Sequence, residues 1–381
     1  MATGTRYSYT DTGNTKRAIS DVIEMIDWTE APLLRIFGFS SSNVDKFNIV
    51  NWPATKVEIL EDTMSTLTAT LDEADDGQET ALDVQTGEGA LFRQGDIILI
   101  GTEQLLVTSV STDTLTVARG YGDTSAAAHD DDAVVTIVGR AMPEASDYVT
   151  GNTTTTSQPY NYTQILSEAV KVSKTDMAIQ KYGIEDTMDY HVAKLFADGG
   201  GSGRLAQMLA KTFYYGQRVQ RSSSAYGSMG GFDTFVTTNV TTLSSSPALK
   251  RDNIHTIIRQ VRDAGGRVDK LITGSWGVEK ITQMYEGTIR TTRDENRGGS
   301  EITMIKTPHG EVEVVYDWMC PGGQMYFVNS DKTGWLPMRE FSAGEIKEQG
   351  DYFVKDIVGE YTFLMCNDES HGKITGFSTS K

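Results

Sequence analysis

Nucleophilic catalysis needs a serine or cysteine beside a histidine that a carboxylate holds in place, and side chains able to do this are few and far apart in the chain. No G-x-S-x-G elbow occurs. Cys320 adjoins the turn Pro321-Gly322-Gly323 and Cys366 follows an apolar stretch, which indicates ordinary rather than activated thiols. The five histidines are widely separated: His129, His191, His255, His309 and His371. We therefore expect no catalytic residues and no enzymatic activity.

Two other segments could bind an ion. The glycine run 199–203 would let backbone amides approach a phosphate. However, no predicted strand precedes it and no Lys-Ser/Thr pair follows, so a helix interruption or a flexible loop is favoured. Carboxylates at 72, 73, 75, 76 and 130–132 offer hard oxygen ligands, but their spacing matches no calcium loop and solvated turns are favoured. We expect neither a cofactor nor a metal ion.

Three segments are candidates for contact between copies of the chain. Arg290, Arg293 and Arg297 form a basic cluster that could contact an acidic neighbour, with an exposed loop as the alternative. A threonine-rich stretch in residues 141–162 has few apolar anchors, so it either extends onto a neighbouring molecule or forms a surface loop. A proline also stops the first predicted helix and begins an apolar patch that must be buried. The candidates in these last two segments are Pro32, Leu33, Leu34, Phe37, Thr153, Thr154, Thr155 and Thr156.

Composition limits the class of protein. The chain has 381 residues, enough for two or three domains, and its formal net charge is −18. This excess of acid argues against a domain that grips nucleic acid through phosphate contacts. Two cysteines give no disulfide framework, and no apolar run is long enough to span a membrane. The first residues lack an apolar signal core, so we expect the chain to be made in, and to stay in, a cytoplasm.

An acidic, strand-rich segment interrupts the chain at residues 66–138. It contains 14 acidic residues but only Arg93 and Arg119 as basic ones, and no lysine occurs between Lys56 and Lys171. Short β-branched runs alternate with Gly, Ser, Thr and Asp turns, which predicts a small antiparallel barrel or sandwich. The flanking sequence changes character on both sides, so we interpret this segment as an inserted module.

The rest of the chain alternates between helix and strand patterns. Residues 254, 257, 258 and 261 are apolar at i, i+3, i+4 and i+7, which predicts an amphipathic helix ending near Gly265-Gly266. Apolar stretches at 303–306 and 312–316 flank Thr307-Pro308-His309-Gly310 and predict a hairpin. The fold class is therefore α+β, with a mixed sheet in the second half of the chain.

Several short motifs, in chain order, resemble those of tailed-phage major capsid proteins. Together, and in this order, they cover residues 29–376 apart from the acidic segment. They are T-x-x-P-L within 29–38; N-Y-T-Q-I at 161–165; V-K-V-S-K-T at 170–175 with Tyr182-Gly183; G-G-F-D-T-F-V-T-T-N at 230–239; and Gly350-Asp351, V-G-E-Y-T at 358–362, Asn367 and His371-Gly372.

The resemblance implies the Hong Kong 97-type capsid fold. It implies an N-terminal arm at 1–45, an extended E-loop at 140–165, a spine helix within 184–217 and an axial domain at 230–340. The peripheral domain would comprise 46–65, 139–229 and 341–381, and the acidic segment 66–138 resembles the insertion domains of some of these proteins. The glycine run at 199–203 departs from the pattern, because the spine helix should be continuous there.

The resemblance also implies a function. The chain would be a structural subunit of an icosahedral shell, built of hexamers and pentamers, that encloses double-stranded DNA without specific binding. A portal and a separate scaffolding protein would be its other partners, with no membrane, and it would assemble in the host cytoplasm and reside in the virion. Some relatives link subunits through an E-loop lysine, which this loop lacks, so we predict a non-covalent shell. The alternatives are another phage particle component, such as a tail-tube, decoration or baseplate protein, and a soluble hydrolase with an unrecognised site.

Overall fold

The computed structural model describes residues 31–62, 65–142, 144, 156–197, 201–243, 248–285 and 304–378. The chain divides into two compact units: Met1–Ile59 with Gln158–Lys381, which we call the main unit, and Leu60–Ser157, which we call the small unit. Residues 1–30 of the predicted arm lie outside the described residues, as does most of the predicted contact segment at 153–156.

The helices are α1 (Pro32–Phe37), α2 (Ser42–Lys46), α3 (Lys174–Ala178), α4 (Thr187–Leu195), α5 (Arg204–Tyr215), α6 (Phe232–Phe235), α7 (Arg251–Asp263) and α8 (Ser275–Tyr285). The strands are β1 (Lys56–Glu58), β2 (Thr68–Thr70), β3 (Ala81–Asp83), β4 (Asp96–Ile100), β5 (Glu103–Ser111), β6 (Thr114–Ala118), β7 (Val134–Arg140), β8 (Tyr160–Tyr162), β9 (Gln164–Ser173), β10 (Val240–Thr242), β11 (Lys270–Thr273), β12 (Met304–Thr307), β13 (Gly310–Tyr316), β14 (Gln324–Val328), β15 (Thr333–Ala343), β16 (Lys347–Gln349), β17 (Tyr352–Met365) and β18 (Gly372–Thr375).

The small unit is a six-stranded antiparallel sheet in the order β2-β7-β4-β5-β6-β3. Its two outer strands also meet, because Asp72 N donates to Asp83 O and Gln85 N donates to Thr70 O, each at 2.9 Å. Of the two architectures that the sequence predicted, the structure therefore has the barrel, which leaves no open sheet edge. The alternating apolar residues of its strands form a separate core that includes Leu82, Ile98, Leu105, Leu115 and Val135.

One sheet of the main unit carries α7 and α8 on one face. Its strand order is β10-β18-β14-β11-β13-β12, with parallel β10–β18 and β11–β13 pairs, so it is mixed as predicted. The apolar side of α7 packs into the core beneath it, which contains Ile254, Ile257, Ile258, Val261, Leu271, Phe327 and Ile374. Strand β18, near the end of the chain, thus belongs to the same sheet as the predicted axial residues.

The second large sheet joins β9, β15 and β16 to the long strand β17. Helices α1, α4 and α5 pack into its core, together with aromatic side chains such as Phe213, Trp335 and Phe363. Strand β15 continues through residue 340, where the sequence placed the boundary of the axial domain. Its pairing with β17 is a long-range contact that the local pattern could not reveal.

The segment predicted to contain the spine helix forms two helices, α4 and α5, on either side of the glycine run. Gly203 has φ +100° before α5, a conformation that favours glycine. A Cβ at this position would lie 2.8 Å from the backbone carbonyl of Leu195, at the end of α4. A longer side chain is therefore excluded by the close approach of the two helix ends.

Candidate functional site

Of the two cysteines, Cys320 is buried and Cys366 is partly exposed. Burial raises the pKa of the Cys320 thiol to about 12, so the thiol is protonated at neutral pH. A cavity of about 110 Å³ beside it is lined by neither histidine nor carboxylate. Within the described ranges, no three His, Cys, Asp or Glu side chains are grouped to hold a metal ion. Each helix in the described ranges is too short or too polar to span a membrane.

The motif residues instead meet in buried hydrogen-bonding clusters. Asn161, which is 0% exposed, pairs its side-chain amide with both backbone groups of Gly230. Its Nδ2 also donates to Phe363 O at 2.6 Å, and its Oδ1 accepts from Tyr162 N at 2.9 Å. This one amide therefore ties β8 to the Gly230-Gly231 turn and to β17, and all its hydrogen-bonding capacity is used.

The glycines of this turn are required by close packing. A Cβ on Gly231 would lie 2.2 Å from Thr212 O, at the end of α5. Gln164 Oε1 accepts from Met229 N at 3.2 Å, which adds a second tie between β9 and the turn. The N-x-x-Q and G-G motifs, about 70 residues apart in sequence, thus form a single structural unit.

A second cluster surrounds Glu360, the acidic residue of the G-E-Y-T motif. The side chain is 2% exposed and accepts from Thr163 Oγ1 at 2.7 Å, Arg221 Nη2 at 2.9 Å and Arg339 Nη2 at 3.0 Å. Burial alone would raise the pKa of Glu360, but these three hydrogen bonds outweigh it and lower the pKa. Glu360 therefore stays ionised and holds three separate segments against β17.

A third cluster links the T-T-N and H-G motifs. Asn239 Nδ2 donates to His371 O at 3.0 Å, and the hydroxyl of Thr238 donates to Asp368 Oδ2 at 2.7 Å. His371 is 0% exposed; its Nε2 donates to Cys366 O at 3.1 Å and its Nδ1 accepts from Asn329 N at 3.3 Å. Burial lowers the pKa of His371 to about 4, so the ring is neutral near pH 7. This histidine is a structural residue and not a base.

The small unit has a buried charged cluster that sequence reasoning missed. Glu103, 0% exposed, accepts from Arg119 Nη2 at 2.7 Å, His129 Nε2 at 3.0 Å and Ala127 N at 3.0 Å, while Arg119 also donates to Asp75 Oδ1 at 2.5 Å. Burial alone would raise the pKa of Glu103, but these hydrogen bonds lower it to about 2. The scarcity of arginine in the acidic segment was the available signal, because a cation among so many acids favours an internal ion pair, and the segment has only two, Arg93 and Arg119.

The predicted contact residues of α1 are mostly internal. Leu33, Leu34 and Phe37 are 0–1% exposed, and the Phe37 ring stacks on Phe213 with centroids 5.7 Å apart. Their interpretation as contacts between copies is therefore corrected, because a side chain buried in its own chain has no surface to offer another. Pro32 is partly exposed at the first position of α1, where a proline is favoured.

The remaining predicted contacts fall mainly outside the described residues. Thr156 is described and exposed, whereas Thr153, Thr154 and Thr155 are not described. The basic cluster Arg290, Arg293 and Arg297 is also outside the described residues. These contacts remain predictions.

A family model described as SU10 major capsid protein matches residues 3–378. No curated protein matches the chain significantly. Among solved structures, a chain of the cyanophage A-1(L) capsid asymmetric unit is 12% identical, with 98% of this chain and 99% of that chain covered and a TM-score of 0.55. A chain of the capsid of an empty GTA particle is 10% identical, with 98% and 100% covered and a TM-score of 0.52.

Proposed function

The chain belongs to the SU10 major capsid protein family, and on that premise we propose that its copies assemble, as hexamers and pentamers, into the icosahedral shell of a tailed double-stranded DNA phage. Its role is structural, that of a major capsid protein. It is a strand-dominated α+β protein, structurally similar to Hong Kong 97-type phage capsid proteins. The match over residues 3–378 carries the proposal, because it includes nearly the whole chain.

We assign the parts of that fold as follows. Residues 1–45 are the N-terminal arm, 140–165 the E-loop and 230–340 the axial domain, while the peripheral domain comprises 46–65, 139–229 and 341–381. Two strands cross these bounds, because β15 pairs with the peripheral strand β17 and β18 pairs with β14 of the axial sheet. Helices α4 and α5 take the place of the spine helix. The acidic segment 66–138 is the insertion domain. It lies within the small unit, whose separate hydrophobic core supports this assignment.

The buried clusters fit a subunit that must present loops in fixed positions. Asn161 and Glu360 bind the returning end of the predicted E-loop to β17 and to the turn after α5. In a closed symmetric assembly, small contacts are repeated many times, so a rigid base for each loop matters more than the strength of one contact. This role requires no catalytic step.

The acidic balance suits a container for densely packed DNA. A weakly repulsive wall keeps the genome mobile, so the DNA is enclosed without specific binding. A portal and a separate scaffolding protein are the other proposed partners. Assembly takes place in the host cytoplasm, and the mature protein resides in the virion.

Negative-stain electron microscopy of the purified chain, alone and co-expressed with the other structural proteins of its virus, tests the proposal. Closed icosahedral shells are the expected result. A Leu209→Asp variant is the matched control, because a charge at a position that is 0% exposed should prevent folding and abolish shells. Tubes or rings would point to another particle component, and dispersed monomers with measurable turnover to a soluble hydrolase; either would overturn the proposal.

A further inference from the structure

Helix α7 carries a stripe of basic residues on one flank, away from its apolar side. Positions i, i+4, i+8 and i+11 fall within one quarter of a helix circumference, so their side chains line up along the helix axis. Burial and the neighbouring Arg251 lower the pKa of His255, so the positive charge of the stripe resides on its arginines. The stripe consists of Arg251, His255, Arg259 and Arg262.

The charge of this stripe is not compensated among the described residues. Arg259 and Arg262 are exposed, and no described carboxylate lies within 4.0 Å of either guanidinium. Arg251 stacks over the ring of Tyr285, with its Cζ 4.9 Å from the ring centroid. The helix's own acids, Asp252 and Asp263, lie next to the stripe on the polar side, but neither forms an ion pair with Arg259 or Arg262 among the described residues. An exposed row of unpaired arginines is available for an anionic surface.

The same chain displays such a surface elsewhere. The small unit contains 18 acidic residues and three basic ones, a net charge of −15 out of the −18 of the whole chain. All three arginines are occupied within the unit: Arg119 and Arg140 pair with carboxylates, and Arg93 donates to the backbone carbonyls of Ala90 and Phe92. The electrostatic potential at the surface of the small unit is therefore almost wholly negative.

Backbone contacts gather part of this charge at one end of the barrel. The bridge between Asp75 and His129, and the bond from Leu71 N to Ala133 O at 3.0 Å, bring residues 71–76 beside the turn at 129–133. None of the carboxylates exposed there forms an ion pair among the described residues. They are Asp72, Glu73, Asp76, Asp83, Asp130, Asp131 and Asp132.

We propose that the arginine stripe of α7 in one copy binds the carboxylate-rich end of the small unit in a second copy. The inference rests on the proposed function, since it needs an assembly of identical chains. Charge complementarity carries it: each copy supplies one uncompensated basic surface and one uncompensated acidic surface, in equal numbers. Such a contact steers association and fixes the register between copies, and salt weakens it because the charges are exposed.

A charge swap between two separate chains tests this contact. One variant carries Arg259→Glu and Arg262→Glu, and the other carries Asp130→Lys, Asp131→Lys and Asp132→Lys. We expect each variant alone to assemble about tenfold or more slowly than the wild type at low ionic strength. The equimolar mixture should recover most of the rate, since each reversed surface then finds an opposite partner. An Arg259→Lys, Arg262→Lys variant keeps the charge and should assemble like the wild type.

The readouts are light scattering over time and counts of shells in micrographs, with thermal unfolding to verify that each variant is folded. If the wild type forms no shells, the proposed function fails. If the wild type and both single variants assemble equally well, this inference alone fails. Failure of the mixture to recover would indicate a contact within one chain. If the only effect of the helix variant is a loss of binding to duplex DNA, the stripe would be assigned to nucleic acid. Failure of the mixture to recover, or this loss of DNA binding alone, would overturn the proposal.

Discussion

Asn161 pairs with Gly230 as one backbone strand pairs with another, with its Oδ1 2.8 Å from the glycine nitrogen and its Nδ2 3.0 Å from the glycine oxygen. The side-chain amide thus makes the pair of hydrogen bonds that the backbone of a neighbouring strand would otherwise make. It does so where β8, β17 and the turn after α5 meet. Both residues belong to motifs that the sequence singled out, but their partnership is a property of the fold alone.

Replacing Asn161 by Asp should destabilise the main unit by about 3 kcal/mol or more. The carboxylate keeps the size of the amide, but it cannot donate to Gly230 O or Phe363 O, and it places a charge where the side chain is 0% exposed. Urea unfolding measures the change. The matched control is Asn51→Asp at an exposed position, expected to change stability by less than about 0.5 kcal/mol. Equal effects of the two substitutions would contradict the role assigned to Asn161.

Replacing Glu103 by Gln should destabilise the small unit by about 3 to 5 kcal/mol. The side chain of Arg119 is 8% exposed, and the substitution leaves its guanidinium with Asp75 as its one charged partner among the described residues. Hydrogen exchange of the amides of β5 and β6 reports the loss in this unit specifically. Glu79→Gln, an exposed acid in the same unit, is the control and should leave exchange unchanged. Retained protection in the Glu103 variant would show that the cluster is not needed for stability.

The stability of the main unit should decrease as the pH falls from about 6.5 towards 4. Burial lowers the pKa of His371 from its ordinary value of 6.5 to about 4 in the folded chain, so in this window the unfolded chain binds a proton that the folded chain does not. The contribution of the buried, neutral His371 ring to the stability is fully present above pH 6.5, and about 3 kcal/mol of that stability is lost by pH 4. Denaturant unfolding at a series of pH values measures the slope. A His371→Gln variant should be less stable at pH 7 but show a shallower slope, and an unchanged slope would contradict the assignment.

Replacing Gly372 by Ala should destabilise the contact between β18 and α7. The new Cβ would lie 2.6 Å from Cγ2 of Ile257, and overpacking of this kind costs about 1 to 3 kcal/mol. A double-mutant cycle with Ile257→Ala checks the cause, because that variant removes the clashing methyl group. The cost of Gly372→Ala should fall in the Ile257→Ala background. Strictly additive effects would show that the clash is not the reason for glycine at this position.

Purified particles boiled in SDS should run as a single monomer band. No lysine occurs between Lys56 and Lys171, so the predicted E-loop at 140–165 has no amine to form an isopeptide bond with a neighbouring chain. Particles treated with a lysine-reactive cross-linker provide the positive control for a ladder. Multimers in the untreated sample would contradict the prediction of a non-covalent shell.

Patterns that depend on local burial could be predicted from the sequence. The apolar stripe of α7, the β-branched runs of the small unit and the hairpin of β12 and β13 follow from side-chain periodicity, because each element must bury one face. The buried cluster around Glu103 was not predicted, since its members Asp75, Arg119 and His129 lie on separate segments. The periodicity of apolar residues predicts that a side chain is buried, but it does not predict which other side chain it contacts.

The sequence by itself determined the negative net charge, the strand-rich segment and the order of the motifs, because these depend only on residue types and on their local spacing. Only the tertiary structure decided that Leu33, Leu34 and Phe37 pack into their own chain, that β18 joins the sheet beneath α7, and that the strands of the small unit close into a barrel. The physical reason is that these outcomes depend on contacts between residues distant in sequence. An apolar patch is stabilised equally by any apolar partner that reaches it, and the folded chain selects which one does.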